Sequence, residues 1–268
     1  MSELRGQRTK ASTVYLVGAG PGAPDLLTLR AARILGEADI VFHDALVHPE
    51  TLALAANAEK IAVGKRCGRH STAQRFINKR LADAARRYRV VVRLKGGDPM
   101  LFGRAHEEIS YLLEQQINVE VVPGVTAALA AAAEARVSLT RRGMSRSVVF
   151  ATTRAAKDAA PSRWAEAVAA ADTAVLYMAS RDGEVVKSAL LALGKDRRTP
   201  AAIVENASLP GKRIYRGTLA DLSALAARCS GGPAVLLIGE VFAEMAAASE
   251  AGVASLLATY SRARRTSF

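Results

Sequence analysis

The stretch VVVRLKGGDP, residues 90–99, predicts a buried strand that leads into a ligand-binding turn. The apolar run at 90–94 is typical of a strand that is covered on both faces of a parallel sheet. Gly96 and Gly97 permit backbone conformations that other residues avoid, and they leave room for a ligand. Asp98, held extended by the following proline, can accept a hydrogen bond from a hydroxyl group or bind a cation. Because ligands bind at the carboxyl ends of strands in open α/β sheets, we expect this turn to line a site.

The first half of the chain alternates between strand and helix patterns. Phe76, Leu81 and Ala84 are candidate core positions of one helix. The alternation favours a largely parallel α/β sheet. The patterns predict strands at 13–17, 39–42, 90–94 and 119–122, and helices at 25–36, 72–87, 107–116 and 125–135.

The second half repeats this alternation after a polar stretch at 138–146. We therefore expect two α/β domains, at 13–138 and 147–245, with a linker at 139–146 and a ligand-binding cleft between the domains. The flanking segments are expected to be a disordered N-terminus at 1–12 and a C-terminal helix with a basic tail at 246–268. The patterns predict strands at 147–151, 173–178, 201–204 and 234–238, helices at 161–171, 182–193 and 219–228, and a strand at 214–218 that can pair antiparallel across the 209–211 turn.

The formal charge of +12 is distributed unevenly along the chain. Between Lys60 and Arg104 there are thirteen basic residues and only two acidic ones, and a second basic group lies at 136–146. Such a field attracts a polyanion, either a nucleic acid or a small substrate with many carboxylates. A solvated helix face at 75–89 is the alternative explanation for part of this charge.

The composition argues against a membrane, secreted or metal-binding protein. No apolar run approaches the roughly 20 residues that span a bilayer, and residues 1–12 lack the apolar region of a secretory signal. Cys67 and Cys229 lie far apart in the sequence, so no disulfide framework is expected. The four histidines show no ligand spacing. We expect a cytoplasmic protein without a bound metal.

Other predicted strand ends also carry candidate functional residues. The loop GAGPGAPD at 18–25 loosely fits a dinucleotide fingerprint, but its two prolines remove backbone donors that a pyrophosphate needs. Asp44 is either a proton acceptor or a turn-capping residue. Thr126 can bind a ligand or cap the helix that follows. Arg104 offers a planar fork for a carboxylate. Met178 ends a predicted strand, where a place in the core is the more common explanation.

Taken together, these segments resemble the tetrapyrrole methylase superfamily and, within it, the uroporphyrinogen-III C-methyltransferases. The resemblance runs in order from about residue 13 to residue 242, and RLKGGDP followed by FGR is its most specific part. The matching pieces are VGAGPG (17–22), LLTL (26–29), HDALV (43–47), VGKR (63–66), RLKGGDP (93–99), FGR (102–104), EE (107–108), PGVT (123–126), LYM (176–178), GTLA (217–220) and GEV (239–241).

The resemblance implies a homodimer of two-domain α/β subunits that uses S-adenosylmethionine as the methyl donor. The implied substrate is uroporphyrinogen III, which would be methylated at two ring carbons to give precorrin-2 for sirohaem or cobalamin biosynthesis. Neither a nucleic acid nor a membrane is an expected partner. The residues implied to line the donor pocket are Pro21, Gly96, Gly97, Asp98, Thr126, Ala127, Met178, Ala207 and Ala234. Those implied to face the tetrapyrrole are Asp44, Arg104, Glu107 and Arg142.

The chain departs from the usual family pattern at several positions. A non-glycine pair at Ala105 and His106 replaces Gly-Gly, which forbids some backbone conformations beside Glu107. The other departures are Ala23 in place of Asp, Arg141 in place of His, Glu134 in place of Tyr, and residues 151–154 in place of a Thr-Gly-His segment.

The implied reaction is attack by an electron-rich pyrrole carbon on the sulfonium methyl group of the donor. The protein must align the two within about 3–3.5 Å, exclude water and remove a proton afterwards. Arg104, Arg142 and other cations would bind the substrate carboxylates. Asp44 and Glu107 are the candidate acid–base groups, and the sequence does not decide between them.

Other classes of protein stay open at this point. A methyltransferase of the same fold could act on another corrinoid or on RNA; an RNA enzyme would bind with a steep salt dependence, although its basic segment has few aromatic residues for base stacking. A nicotinamide dehydrogenase is suggested only by Gly18, Gly20 and Ala23. A non-catalytic, degenerate methylase is suggested by the departures at Ala23 and His106.

Overall fold

The computed structural model describes residues 12–63, 74–154 and 162–243. The chain divides between Ala127 and Ala128 into two compact units. This division falls ahead of the predicted boundary at 138. Ala128, the first residue of the second unit, donates from N to the hydroxyl of Tyr177 in the same unit at 3.2 Å. Ser12, at the end of the segment expected to be disordered, donates from Oγ to Tyr88 O at 2.7 Å. The remainder of that segment and the predicted C-terminal helix and tail lie outside the described residues.

The first unit is a five-stranded sheet in which all neighbouring strands are parallel, in the order β3-β2-β4-β1-β5. This arrangement confirms the parallel α/β sheet expected from the sequence, with β4 at its centre. The strands are β1 (Thr13–Gly18), β2 (Ile40–His43), β3 (Glu59–Ala62), β4 (Val90–Lys95) and β5 (Asn118–Val122), and the helices are α1 (Leu29–Gly36), α2 (Pro49–Ala53), α3 (Gln74–Ala85) and α4 (Ala105–Glu114), with α5 (Ala127–Ala135) starting at the division.

Apolar layers cover both faces of this sheet. On one face Ile34 of α1 packs with Val92 of β4. On the other, Leu81 of α3 and Leu112 of α4 pack with Val91. Each fully buried leucine stabilises the fold by about 1.5–3 kcal/mol. Successive residues of a strand face opposite sides, so Arg93 and Lys95 share the face of Val91 and lie under α3 and α4.

Two local predictions in the first unit were wrong. The helix predicted from residue 25 begins at Leu29, because Thr28 is extended and its side chain accepts a hydrogen bond from Ala31 N at 3.2 Å. Phe76 is 53% exposed and is not a core residue. Its neighbour Ile77 takes the inward position on α3, together with the correctly predicted Leu81 and Ala84.

The second unit holds a mixed sheet in the order β6-β7-β10-β8-β9. Strands β6 and β7 are parallel, and the other pairs are antiparallel. The antiparallel pairing predicted for 214–218 is confirmed, but the largely parallel sheet is correct for the first unit only, because β10 inserts antiparallel between β7 and β8. The strands are β6 (Val148–Thr152), β7 (Thr173–Tyr177), β8 (Pro200–Glu205), β9 (Arg213–Thr218) and β10 (Ala234–Gly239), and the helices are α6 (Trp164–Ala170), α7 (Gly183–Ala192) and α8 (Leu222–Ala227).

One apolar layer joins the helices of the second unit to its sheet. It contains Val168 of α6, Val186 of α7 and Leu222 of α8, together with Ile203 and Leu236 of the central strands. In the part of the chain that the structure describes, no helix is both long enough and apolar enough to cross a membrane.

Candidate active site

Three loops meet at the carboxyl edge of the first sheet through contacts between glycines. Gly97 N donates to Gly20 O at 2.7 Å, and Gly20 N donates to Gly97 O at 3.2 Å, which joins the loops after β4 and β1. Gly124, after β5, lies against both loops: a Cβ added there would overlap Gly97 O and would lie 2.9 Å from the Gly18 Cα atom. Gly20 and Gly97 also have positive φ angles, 74° and 68°, which side chains disfavour. The close approach of these loops therefore requires glycine.

The Asp98 carboxylate ties the same loops together. Its Oδ2 accepts from Gly124 N at 2.9 Å, and its Oδ1 accepts from Met100 N at 2.7 Å. The sequence suggested a hydroxyl group or a cation as the partner of Asp98, whereas the structure shows two backbone N–H groups. Asp98 therefore fixes the shape of the turn through which the glycines face the site.

Among the described residues, the surface above Gly96 and Gly97 is open. A Cβ added at Gly96 would meet only Leu46 Cβ of these residues, at 3.7 Å, and one added at Gly97 would meet only Thr126 Cα, at 4.0 Å. Pro21 follows the glycine that pairs with Gly97. The structure thus brings the predicted residues Pro21, Gly96, Gly97, Asp98 and Thr126 to one edge of the sheet, and Ala127 follows as the first residue of α5.

Asp44 lies at this edge, in the loop after β2. Its backbone N donates to Leu94 O at 3.2 Å, beside the glycine turn. Its Oδ1 lies 2.5 Å from Arg93 Nη2, and its side chain is 31% exposed. Within the described ranges, Arg93 is the only donor to this carboxylate. Asp44 is therefore both anchored and accessible.

Arg93 connects Asp44 to a buried set of charges, here called the Arg93 network: Asp44, Arg93, Glu108 and Lys95. Arg93 Nε donates to Glu108 Oε1 at 3.1 Å, and Lys95 Nζ donates to Glu108 Oε2 at 3.0 Å. Glu108 is fully buried, and Arg93 and Lys95 are each 3% exposed. Gln74 Nε2 also donates to Glu108 Oε1, at 3.0 Å. Burial lowers the pKa of Lys95, with repulsion from Arg93 in the same direction and the attraction of Glu108 opposing it.

Sequence reasoning missed this network as a functional feature. From the sequence, Arg93 and Lys95 count among the cations of the basic segment and Glu108 has no predicted role, whereas the structure buries all three. The signal was present, because positions 93 and 95 put two cations on one face of a strand that begins with an apolar run and is buried along its length. Buried charges of that kind require partners, and Glu108 of α4 provides one.

Arg104 and Glu107 lie together at the start of α4. The Arg104 backbone is left-handed, with φ 56°, as is that of Phe102, with φ 53°. Gly103 allows this tight turn, since a Cβ there would lie 2.5 Å from Pro99 O. Arg104 donates from Nε to Glu107 Oε1 at 2.7 Å and from Nη2 to Glu107 Oε2 at 2.8 Å. The Arg104 guanidinium holds the pKa of the Glu107 carboxyl below its usual value.

Three predicted donor-pocket residues belong to the second unit and share one edge of its sheet. Met178 follows β7, Ala207 follows β8, and Ala234 begins β10, which runs in the opposite direction to both. Met178 has φ 58° and is 48% exposed, so it is not a core methionine.

Glu205 fixes the loops that carry Ala207 and Ala234, and it was missed from the sequence. Its carboxylate accepts from Gly232 N at 2.8 Å, from Ser230 Oγ at 3.0 Å and from Ser230 N at 3.2 Å. The Tyr215 hydroxyl also donates to it, at 3.2 Å. Burial acts to raise the pKa of Glu205, but these hydrogen bonds outweigh it and the pKa is lowered.

Arg142 lies in an exposed turn within the predicted linker. Arg141 and Ser145 close this turn with a pair of backbone hydrogen bonds, and Ser145 Oγ lies 2.9 Å from Thr173 Oγ1. Thr173 begins β7, whereas Met178 follows its end. The structure therefore places Arg142 at the opposite edge of the second sheet from Met178, Ala207 and Ala234.

The basic residues between Lys60 and Arg104 have diverse surroundings. Arg93 and Lys95 are neutralised in the Arg93 network. Residues 86–89 lie at the amino end of β4, away from the glycine turn, and Arg86 pairs with Asp83 at 2.8 Å. Lys65, Arg66 and Arg69 lie outside the described residues. Arg104 lies in the connection between β4 and α4, which also holds the glycine turn.

The described residues contain no cluster of three or more His, Cys, Asp or Glu side chains that could hold a metal ion. Cys229 is a half-buried free thiol whose pKa is raised, chiefly by burial. Cys67 lies outside the described residues.

Comparison with known proteins defines the class. Residues 13–223 match the family model for tetrapyrrole (corrin/porphyrin) methylases. The chain is 44% identical over 240 residues to siroheme synthase from Zymomonas mobilis, covering 89% of this chain and 51% of that protein. It is 44% identical over 230 residues to siroheme synthase from Pseudomonas fluorescens, covering 85% and 50%. The chain thus spans about half the length of these curated relatives.

A solved structure matches over almost its full length. Uroporphyrin-III C-methyl transferase from Thermus thermophilus, complexed with S-adenyl homocysteine, aligns with a TM-score of 0.76 and 40% identity, covering 86% of this chain and 98% of that one. The fold and these matches agree: the chain belongs to the tetrapyrrole methylase family.

Proposed function

We propose that this chain is an S-adenosylmethionine-dependent methyltransferase that converts uroporphyrinogen III to precorrin-2 by methylating two ring carbons. The observation that carries the proposal is the carboxyl edge of the first sheet, where the connection from β4 to α4 holds both the open glycine turn and Arg104, and the loop of Asp44 lies beside it. The 40% identical Thermus thermophilus protein, crystallised with S-adenyl homocysteine, supports this choice of donor and substrate.

The open turn suits the donor. Gly96 and Gly97 leave space above the backbone, and Asp98 keeps the turn in shape through Gly124 N. When bound, S-adenosylmethionine supplies an electrophilic methyl group. In this proposal Pro21, Gly96, Gly97, Asp98, Thr126 and Ala127 contribute from the first unit, and Met178, Ala207 and Ala234 contribute from the second.

Arg104 is the proposed anchor for the tetrapyrrole. Its guanidinium is about half exposed and already holds a carboxylate, that of Glu107, in the two-pronged geometry that suits this group. An acetate or propionate side chain of the substrate can compete for the same fork. Arg142 lies at the opposite edge of the second sheet from Met178, so its proposed contact with the substrate rests on the family resemblance alone.

Asp44 is the proposed proton acceptor, in preference to Glu107. Both oxygens of Glu107 accept from Arg104, and its lowered pKa makes it a weaker base. Asp44 receives one hydrogen bond, on Oδ1, from the residues that the structure describes. Its Oδ2 is therefore free of described protein donors and can take the proton that the macrocycle loses from another position after methylation.

We further propose that the enzyme is a cytoplasmic homodimer, as the resemblance implies. An apolar groove of about 510 Å³ in the second unit is a candidate subunit surface, lined in part by Leu129, Val137, Leu139, Val148 and Phe150. Leu129 is 53% exposed there. Sedimentation of the purified chain, compared with its Leu129→Glu variant, tests this assembly.

Anaerobic incubation with uroporphyrinogen III and S-adenosylmethionine tests the function. We expect a dipyrrocorphin-like chromophore that depends on both reactants. Methylation of a later corrinoid or of RNA, without reaction of uroporphyrinogen III, would reject this substrate but keep the family. Binding of the donor without transfer to any of these acceptors would indicate a degenerate methylase.

A further inference from the structure

We propose that Arg93 is a positioning residue that, held by Glu108, orients the Asp44 carboxylate for proton removal. The inference rests on the proposed function and extends it from the residue at the surface to the buried charges behind it. No part of the family resemblance assigned a role to Arg93.

The Arg93 guanidinium is fixed on three sides. Its Nε donates to Glu108, and its Nη1 donates to Leu94 O at 3.1 Å and to Phe42 O at 3.5 Å. The remaining edge, at Nη2, faces Asp44 Oδ1 at 2.5 Å. Because the guanidinium is planar and every edge is engaged, its rotation is restricted. The position of Asp44 Oδ1 is therefore set by the sheet rather than by solvent.

Glu108 makes this arrangement possible. A cation as buried as Arg93 is costly unless it is paired and hydrogen-bonded, and Glu108 also neutralises Lys95. The network contains two carboxylates and two cations, so its formal charge is balanced. Lys95 further lies under the Arg104 turn, since a Cβ added at Gly103 would be 3.2 Å from Lys95 Cε.

Lysine at position 93 would keep the positive charge but lose the planar set of donors that the guanidinium group provides. An ammonium group is a compact donor without the guanidinium plane, so it cannot reproduce the bonds to Glu108, Asp44 and the two carbonyls with the same geometry. Arg93→Lys should therefore loosen Asp44 without placing an unpaired carboxylate in the core. The Arg93→Lys variant therefore tests the orientation of Asp44 separately from the charge at position 93.

A double-mutant cycle tests the proposal. We compare the unaltered enzyme with Asp44→Asn, Arg93→Lys and the double variant, measuring kcat and KM for uroporphyrinogen III with a radiolabelled donor, and measuring S-adenosylhomocysteine affinity by calorimetry. We expect Arg93→Lys to lower kcat roughly tenfold or more and to leave the affinity for S-adenosylhomocysteine unchanged. In the Asp44→Asn background the same change should have less than about a twofold effect, because residues that act as a unit are not additive.

Arg86→Lys is the matched control, since Arg86 forms an exposed pair with Asp83 at the other end of β4. It should leave kcat unchanged. An equal loss from Arg93→Lys in both backgrounds would show that Arg93 does not act through Asp44, and would overturn the inference. Should melting show that Arg93→Lys is unfolded, Glu108→Gln takes its place in the same cycle with the same two outcomes. An inactive wild-type enzyme contradicts the proposed function itself, whereas an active enzyme with additive variants contradicts only the role of Arg93.

Discussion

Glu107 and Glu108 are neighbours on α4 but have opposite surroundings. Glu107 is exposed and paired with Arg104 through two hydrogen bonds, whereas Glu108 is fully buried and paired with Arg93 and Lys95. One turn of helix thus supports two parts of the candidate site: the outer carboxylate orders the proposed substrate anchor, and the inner one orders the residue behind Asp44. This division of roles leads to the following predictions.

Arg104→Ala should lower kcat/KM for uroporphyrinogen III roughly ten- to a hundredfold, the usual consequence of losing a hydrogen bond between charged groups. S-adenosylhomocysteine affinity, measured by calorimetry, should be unchanged. Arg163→Ala is the control, because Arg163 forms a comparable exposed pair with Glu166 at 3.2 Å on α6. Loss of S-adenosylhomocysteine binding in Arg104→Ala would assign this arginine to the donor pocket instead.

Glu107→Gln and Asp44→Asn should differ sharply. If Asp44 accepts the proton, Asp44→Asn should lower kcat by roughly 10²–10⁴-fold, the usual contribution of a general base. Glu107→Gln should lower activity by less than about tenfold and preserve the shape of the pH–rate profile, because the pKa of Glu107 lies below its usual value and its carboxylate stays ionised above that range. The reverse order of effects in kcat would make Glu107 the base.

Gly124→Ala should weaken donor binding and destabilise the fold. The added Cβ overlaps Gly97 O and must push apart the loops after β4 and β5, and overpacking of this kind costs about 1–3 kcal/mol. Denaturant unfolding and calorimetry with S-adenosylhomocysteine measure both effects. Gly36→Ala is the control, since a Cβ at this helix end has no described atom within 4 Å. Unchanged S-adenosylhomocysteine affinity in Gly124→Ala would argue against a donor site at these loops.

Glu205→Gln should reduce stability in a pH-dependent manner. The folded-state pKa of Glu205 is lowered, so its carboxylate stabilises the fold above the ordinary glutamate pKa of about 4.3. That contribution is lost as the pH falls through the folded-state pKa. The difference in the free energy of unfolding between the wild-type chain and Glu205→Gln should therefore shrink on acidification. A difference that grows instead would show that the carboxylate is not held ionised by Ser230 and Gly232.

The sequence predicted the strands that have a hydrophobic pattern and missed the one that does not. β1 and β4 contain apolar runs and β5 alternates, and the carboxyl ends of all three carry the glycine motifs. β3 was missed because Glu59 and Lys60 are exposed and its pattern is polar. The local sequence pattern also could not predict the direction of β10, since an antiparallel insertion depends on which strands are already neighbours.

The sequence predicted the exposed residues of the candidate site but not the hydrogen bonds that hold them in place. The position of Asp44 and the Gly96–Gly97 turn follows from strand ends in a parallel sheet. The bonds from Asp98 to Gly124 N, and from Glu108 to Arg93, join segments that are distant in sequence, and no periodicity reports such pairings. Charged residues in an apolar strand were the available clue, and they indicate a partner without naming it.

Mass spectrometry of the tetrapyrrole after anaerobic turnover with isotopically labelled S-adenosylmethionine shows whether methyl groups reach the macrocycle. We expect uroporphyrinogen III to gain two labelled methyl groups on ring carbons in the wild-type reaction, and we expect Asp44→Asn to reduce this gain strongly. A macrocycle that carries no label, while the folded protein binds S-adenosylhomocysteine, would contradict the proposed function.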